Sequence, residues 1–268
     1  MRVMNRGGPK PRSSPLGLSS SRHLPITSSR ISRRDISMKA IVFDLDGTLV
    51  DSQADILRAY EAAFDALGIA TPPRGRLLST IGTRLEECFA QLLGDPAMGP
   101  EGTRHFRAWY EVHCLDHTRP FAGVDDSLRR LAGNVPMAVC TMKKGPYARK
   151  VVAGLGWEEL FEEVLGAEEG FPAKPDPAML LELCRRLEVA PGETAFVGDT
   201  RLDALTAKAA GCPFHFAAWG YGGLSSLDGL PASSILRSPS ELPGLAAAPN
   251  GARVAYTCRL AGGAHEQV

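Results

Sequence analysis

Two acidic residues two positions apart begin the part of the chain whose residue types could do chemistry. Asp44 and Asp46 follow the apolar run 39–43 and precede Gly47, within the sequence DLDGTLVDS. Carboxylates two apart on a strand point to the same face, and open α/β sheets bind ligands beyond the carboxyl ends of their strands. Two carboxylates held close repel each other unless a cation or a shared proton intervenes. Oxygen ligands of this kind suit Mg²⁺, which often accompanies phosphate.

Two later residues could serve a phosphoryl group. Thr141 follows the apolar run 135–140, where its hydroxyl is well placed to donate to a phosphate oxygen. Lys174 precedes Pro175, which stiffens the chain on its carboxyl side. An ammonium group presented in this way could neutralise a phosphoryl group and an attacking carboxylate together.

A further group of candidates closes the apolar run 194–198. Gly198 and Asp199 stand at its end, and Asp203 follows near the start of the next helical pattern. Asp199 could complete a metal site, while Asp203 could brace either Asp199 or Lys174. Each residue alone is a weak signal, because a lone threonine or lysine is usually solvated. Together, candidates at the carboxyl ends of successive strands indicate a site that handles phosphate.

Short apolar runs alternate with helical patterns along the chain, and these elements must position the candidates. The predicted strands are 39–43, 135–140, 162–166, 194–198 and 213–218. The predicted helices between them are 124–132, 146–155, 177–187 and 201–210. Alternation of this kind predicts an α/β fold, a Rossmann-like parallel sheet with helices on both faces.

The first two strands are separated by about 90 residues, too many for a structureless loop, and the insert should be a helical subdomain. Apolar spacing predicts a helix over 53–68, with Gly68 available as a left-handed cap at its end. A second helix is expected to begin at Thr83, where Glu86 three residues later would form a capping box. A third helix is expected over about 100–115.

With these motifs in their order, the sequence resembles the haloacid dehalogenase-like hydrolase superfamily. The DxDGT motif, the strand-end threonine, the lysine before proline and the GDxxxD motif all match, from about Met38 to Leu245. The similarity points to the phosphoglycolate phosphatase-like branch, which carries a helical cap after the first motif. One departure is Met142, where the family usually has asparagine. Lys143 matches a lysine that is common in that branch.

The resemblance implies a role for each matching residue. Asp44 would be the nucleophile that forms an aspartyl-phosphate, and Asp46 would be the general acid and then the general base. Thr141 and Lys174 would hold the phosphoryl oxygens. Asp44, the backbone carbonyl of Asp46, and Asp199 would bind Mg²⁺, with Gly198 and Asp203 in supporting positions.

Three residues are expected on the substrate side of the site: Thr48, Arg84 and Lys143. Arg84 lies just after the expected helix start at Thr83, where backbone amides already favour an anion. Its guanidinium could therefore receive a carboxylate such as that of phosphoglycolate. The alternative is a solvated arginine at a helix start.

The expected function is a Mg²⁺-dependent phosphomonoester hydrolase that acts on a small phosphorylated metabolite, with phosphoglycolate the leading candidate. An inorganic pyrophosphatase, or a sugar-phosphate phosphatase or phosphomutase, of the same superfamily remains an alternative. A dehalogenase is less favoured because it typically lacks the second acid, here Asp46. A non-catalytic binding module is disfavoured because no catalytic acid is lost.

Composition restricts the partners. The 268 residues hold 30 Lys+Arg and 30 Asp+Glu, so the formal net charge is zero, which argues against a strongly basic nucleic-acid binder. No run of about 18 apolar residues is present, which argues against a membrane-spanning helix. The expectation is an enzyme of the cytoplasm, a monomer or a homodimer, with no nucleic-acid or membrane partner.

The two ends of the chain differ in composition from the rest. Residues 1–37 are rich in arginine and serine and poor in acids, so we expect either a disordered leader, which resembles an organelle transit peptide, or a mis-assigned start with Met38 as the true first residue. Residues 246–268 are expected to be a disordered tail. The expected domains are a core of 38–52 and 120–245 and a helical cap of 53–119.

Overall fold

The computed structural model describes residues 38–246, so the expectations for the leader and for nearly all of the tail lie outside the described residues. Within that range eight strands occur in chain order: β1 (Ala40–Phe43), β2 (Val50–Asp51), β3 (Arg119–Pro120), β4 (Met137–Lys144), β5 (Glu163–Ala167), β6 (Thr194–Gly198), β7 (Phe214–Ala217) and β8 (Ser234–Leu236). The same described residues form eight α-helices: α1 (Gln53–Ala66), α2 (Arg74–Leu78), α3 (Leu85–Leu93), α4 (Gly99–His113), α5 (Val124–Leu131), α6 (Gly145–Gly154), α7 (Ala178–Arg186) and α8 (Arg201–Ala210).

Six of the strands form one sheet in the order β5-β4-β1-β6-β7-β8. All neighbouring strands in it run parallel, and β1 lies between β4 and β6. The strands that follow β1 in the chain lie on both sides of it: β4 and β5 on one side, and β6 to β8 on the other. A change of direction of this kind leaves a crevice at the carboxyl end of β1, where such sheets bind ligands. The short strands β2 and β3 pair antiparallel with each other at the two ends of the insert.

Alternate residues of β1 enter two separate apolar clusters. Ile41 and Phe43 pack in a cluster that includes Leu128 of α5, whereas Val42 packs in a cluster that includes Leu183 of α7. Since successive residues of a strand point to opposite faces, the two clusters cover opposite faces of the sheet. The predicted α/β fold with helices on both faces is therefore confirmed.

Helices α1 to α4 follow one another between β2 and β3, and aromatic residues pack α1, α3 and α4 together. The Tyr60 ring of α1 lies 5.3 Å from Phe89 of α3 and 5.0 Å from Phe106 of α4, measured between ring centroids. These contacts involve a residue of the apolar face predicted for the first insert helix, over 53–68. Gly68 adopts φ +68° just after α1, as expected for the residue that terminates a helix in the left-handed region.

Two expectations about element boundaries are wrong. Strand β4 continues to Lys144, past Thr141, and its pairing with β5 is irregular between Cys140 and Lys144. The second insert helix begins at Leu85 rather than at Thr83, with no side-chain cap.

The capping box fails because the helical hydrogen bonds start one residue later than expected. The Thr83 amide donates to the Thr80 carbonyl in a preceding turn, and the Arg84 carbonyl is the first to accept a helical bond, from Cys88. Arg84 is thus the N-cap residue, and Glu86 stands one position too early for a capping box.

Several short elements were not predicted from the sequence: α2, β2, β3 and β8. Each spans too few residues to show an apolar period. Among residues 38–246, no helix combines the length and the apolar character that crossing a bilayer would require.

Candidate active site

The segment after β1 brings Asp44 to the carboxyl edge of the sheet. The Asp44 amide donates a 2.8 Å hydrogen bond to the Val197 carbonyl of β6, so the residue continues the sheet pairing. Gly47 turns the chain away with φ +86°. A Cβ atom at Gly47 would lie 2.5 Å from Asp199 Oδ2 and 2.8 Å from the Tyr221 ring. Only glycine therefore allows this turn to approach Asp199 so closely.

Lys174 joins two carboxylates at the base of the site. Its Nζ lies 2.9 Å from Asp44 Oδ1 and 2.6 Å from Asp203 Oδ1, with only 1% of the side chain exposed. The other oxygen of Asp203 accepts hydrogen bonds from the backbone and hydroxyl of Thr200, which caps α8. Asp203 was expected to brace either Asp199 or Lys174, and the structure places it against Lys174. The helix cap thereby fixes the carboxylate that holds the lysine.

Asp199 is fully buried and held by donors on both of its oxygens. Oδ1 accepts a 3.1 Å hydrogen bond from Thr48 Oγ1. Oδ2 accepts from the amides of Tyr221 at 2.7 Å and Gly222 at 3.1 Å. Thr48, expected on the substrate side, is itself fully buried, so its hydroxyl orients Asp199.

Three buried carboxylates lie close together, and their negative charge exceeds the positive charge of Lys174, which contacts two of them. One oxygen from each of Asp44, Asp199 and Asp203 lies within 4.8 Å of the others. Burial raises the pKa of Asp44, and the nearby Asp203 and Asp199 raise it further against the opposing effect of Lys174. Burial, together with Asp203, raises the pKa of Asp199 to about 6. A bound cation would relieve this repulsion, and hard carboxylate oxygens fit Mg²⁺.

Asp46 takes its hydrogen bonds on a single oxygen. Its Oδ1 accepts from Lys143 Nζ at 2.8 Å and from Ser52 Oγ at 2.5 Å. Lys143 also donates a 2.7 Å hydrogen bond to the Tyr110 hydroxyl of α4. Lys143, expected to contact substrate, thus also links the second acid of the motif to the helical insert.

A cavity of about 290 Å³ opens above these groups. Residues at the sheet edge that line it include Asp44, Asp46, Thr141, Met142, Lys143, Lys174 and Asp203, and residues of the insert that line it include Arg84, Arg107 and Tyr110. The cavity therefore lies between the sheet edge and the insert, with residues from both in its wall.

Thr141 and Arg84 occupy different depths of this wall. Thr141 is buried, and its oxygen accepts a 3.1 Å hydrogen bond from the Lys143 amide, which leaves the hydroxyl proton available to a ligand. Arg84 keeps 63% of its side chain exposed and lies 3.7 Å from Glu87. Its guanidinium is a feature of the cavity rim.

The structure thus brings most of the expected site residues together, with Asp199 and Thr48 buried behind the residues that line the cavity. A side chain at Gly198 would put its Cβ 2.5 Å from the Cβ of Asp203, so this glycine lets α8 approach β6. Sequence reasoning missed Ser52 and Tyr110 as site residues.

Tyr221 is a further residue that sequence reasoning did not assign to the site. Its hydroxyl accepts a 2.7 Å hydrogen bond from the Ser52 amide, and its own amide holds Asp199. The glycines on either side of Tyr221 were a signal of close backbone packing there.

Comparison with known proteins agrees with this geometry. The family model described as haloacid dehalogenase-like hydrolase matches residues 41–217. A phosphoglycolate phosphatase of Thiobacillus denitrificans is 32% identical over 194 residues, which covers 69% of this chain and 86% of the relative. The phosphoglycolate phosphatase of Chromobacterium violaceum is 34% identical over 198 residues, which covers 71% of this chain and 89% of the relative.

A solved structure supports the same assignment. A haloacid dehalogenase-like family hydrolase from Streptococcus pneumoniae superposes with a TM-score of 0.71 at 27% identity, covering 76% of this chain and 96% of that one. The family match spans more than half of the chain and includes the site residues Asp44, Asp46, Thr141, Lys174, Asp199 and Asp203. The chain therefore belongs to the haloacid dehalogenase-like hydrolase family.

Proposed function

We propose that this protein is a Mg²⁺-dependent phosphomonoester hydrolase that acts on a small phosphorylated metabolite through an aspartyl-phosphate intermediate. The observation that carries the proposal is the position of Lys174 between Asp44 and Asp203, with Asp199 alongside, beneath one cavity. Such a site offers a nucleophile, a fixed positive charge and oxygen ligands for a cation. Those are the elements that phosphoryl transfer requires.

In the first step, an oxygen of Asp44 attacks phosphorus and the bond from phosphorus to the ester oxygen breaks. Lys174 neutralises negative charge on the phosphoryl oxygens, and the Thr141 hydroxyl donates a hydrogen bond to one of them. Asp46 gives its proton to the departing alkoxide. In the second step, Asp46 takes a proton from water, which hydrolyses the aspartyl-phosphate and restores Asp44.

The hydrogen bonds of Asp46 suit this exchange of a proton. Among the described residues, both donors to its carboxylate, Lys143 and Ser52, reach Oδ1. Oδ2 is thereby left to give and accept the proton. Lys143 stabilises the carboxylate that remains after the proton has left.

The donor set fits a magnesium ion. Asp44, Asp199 and the backbone carbonyl of Asp46 would hold it, because the two carboxylates are close and buried, and burial together with neighbouring carboxylates raises the pKa of each. When bound, the ion would polarise the phosphoryl group and offset its charge. Asp203 is engaged by Lys174 and Thr200 and would stay outside the coordination sphere.

We further propose that residues 53–119 act as a cap over a core formed by 38–52 and 120–245. The names of the relatives support phosphoglycolate as the leading substrate. The small cavity also favours a short metabolite. Arg84, on the cavity rim, remains a candidate contact for such a substrate.

A phosphatase screen tests the proposal. The full-length protein is incubated with a panel of phosphorylated metabolites, pyrophosphate and an aryl phosphate, each with Mg²⁺ and with EDTA. We expect phosphate release that requires Mg²⁺ and is fastest on short phosphomonoesters. Release from pyrophosphate alone would overturn the proposal in favour of the pyrophosphatase alternative.

A further inference from the structure

Two cationic side chains converge on one carboxylate in the cavity wall. The Glu168 carboxylate accepts a hydrogen bond from the Arg107 guanidinium, and it lies 3.3 Å from Lys144 Nζ. All three residues line the cavity that holds the proposed nucleophile. None of them has a role in the steps described above.

The three residues come from three separate segments. Arg107 belongs to α4 of the insert, Lys144 ends β4 three residues after Thr141, and Glu168 directly follows β5. Glu168 has φ +67°, in the left-handed region that residues other than glycine rarely adopt. Such backbone outliers concentrate at ligand clamps and active sites. The arrangement therefore places a carboxylate between two cations at the cost of an unfavourable backbone conformation.

The ratio of cations to carboxylates in this cluster differs from the ratio around Lys143 and Lys174, the other two lysines of the cavity. Lys174 contacts two carboxylates. Among the described residues, Lys143 is the one cation that pairs with the Asp46 carboxylate. Arg107 and Lys144, in contrast, share the single carboxylate of Glu168. The cluster therefore carries a surplus positive charge that faces the cavity.

We propose that Arg107 and Lys144 form a subsite for a second anionic group of the substrate, and that Glu168 is an internal counterion which the substrate displaces. The inference rests on the proposed function and names the substrate class more closely: a short phosphomonoester that also carries a carboxylate. The guanidinium can receive a carboxylate through paired hydrogen bonds, and Lys144 adds a point charge.

The three side chains are exposed enough for an anionic group of the substrate to replace Glu168. The side chains of Arg107, Lys144 and Glu168 are 26%, 36% and 43% exposed. Glu168 can therefore swing into water when another anion takes its place. Until then its carboxylate keeps the two cations from repelling each other across the boundary between α4 and β4.

Kinetics of single substitutions test the subsite. R107A, K144M, E168Q and, as a control, R104A are compared with the wild type on phosphoglycolate and on nitrophenyl phosphate, with Mg²⁺. Arg104 is a matched control because it lies on the same helix, pairs with Glu101 and keeps 66% of its side chain exposed. Melting temperatures of all variants establish that each is folded.

For R107A and for K144M we expect KM for phosphoglycolate to rise about tenfold, the effect of losing one charge-assisted hydrogen bond. KM for nitrophenyl phosphate should change by less than about threefold, because that substrate has no carboxylate. E168Q should lower KM for phosphoglycolate, because the internal competitor loses its charge. R104A should behave as the wild type on both substrates.

Other outcomes would overturn the subsite. Equal effects of R107A and K144M on the two substrates, or a rise in KM for phosphoglycolate in E168Q, would contradict it while leaving the phosphatase proposal intact. If R107A does not fold, K144M and E168Q decide the matter, since neither residue belongs to the insert helices. Failure of the wild type to hydrolyse either substrate would overturn the proposed function and the subsite with it.

Discussion

Lys143 ties Asp46 to the helical insert: its ammonium lies 2.8 Å from Asp46 Oδ1 and 2.7 Å from the Tyr110 hydroxyl. Both partners raise the pKa of Lys143 against the lowering effect of burial, so the lysine stays protonated. Tyr110 is buried in α4, where it stacks on Phe106. The orientation of the proposed general acid thus depends on where α4 packs.

The first prediction concerns this link. K143M should lower kcat for phosphoglycolate by about tenfold or more, because the carboxylate of Asp46 loses the charge that stabilises it after proton donation. Y110F, which keeps the ring and removes only the hydroxyl, should show a smaller loss. Turnover of nitrophenyl phosphate should fall less in both variants, because its leaving group needs little help from an acid. Equal losses on the two substrates would contradict an effect through Asp46.

A second prediction concerns the hydroxyl that orients Asp199. T48V keeps the shape of Thr48 but removes its 3.1 Å hydrogen bond to Asp199 Oδ1. The Mg²⁺ concentration for half-maximal activity should rise about tenfold, as is usual when a partner of a metal ligand is lost. T206V is the control, because the Thr206 hydroxyl bonds to the Leu202 carbonyl within α8. An unchanged magnesium dependence in T48V would refute the assignment.

A third prediction concerns stability in acid. His215 on β7 is buried, and burial lowers its pKa to about 4, while its Nδ1 lies 2.8 Å from Ser234 Oγ. In the unfolded chain the same group titrates near 6.5, so between these values the unfolded state binds more protons than the folded state. The contribution of His215 is therefore fully present above about pH 6.5 and is lost as the pH falls towards 4.

Denaturant unfolding at about pH 7.5 and about pH 5 measures this effect, which should amount to about 2 kcal/mol of lost stability in the wild type. H215N should lose distinctly less between the two pH values. H113N is the matched control, since His113 keeps 39% of its side chain exposed. A variant H215N with the same loss as the wild type would show that another group accounts for it.

The positions of Asp44, Lys174 and Asp199 could be predicted from the sequence because Asp44 and Asp199 follow strong apolar runs and Lys174 precedes Pro175. Parallel strands bring their carboxyl ends to one edge of the sheet, so topology alone predicts that Asp44 and Asp199 lie close together. The pairing of Asp203 with Lys174 required the structure, because both partners were possible from spacing.

Other parts of the site had no readable signal. Tyr110 and Phe106 have the spacing of an apolar helical face, so the sequence indicates only a packing role for Tyr110. The hydrogen bond between its hydroxyl and Lys143 is visible only in the structure. The predicted start of α3 was wrong because the Thr83 amide donates a hydrogen bond to the Thr80 carbonyl in the preceding turn. The spacing of apolar residues does not reveal such a local hydrogen bond. Glu168 gave no signal in the sequence, since its two cationic partners, Arg107 and Lys144, lie on other segments of the chain.

The central claim is that the Asp44 carboxylate is the nucleophile, and the rate of D44N tests it most directly. The amide of asparagine is nearly isosteric with the carboxylate but is a far poorer nucleophile. With saturating Mg²⁺ and phosphoglycolate or nitrophenyl phosphate, we expect D44N to fold as the wild type does and to release phosphate at less than about one hundredth of its rate. A folded D44N that keeps about a tenth or more of the wild-type rate on either substrate would contradict the account.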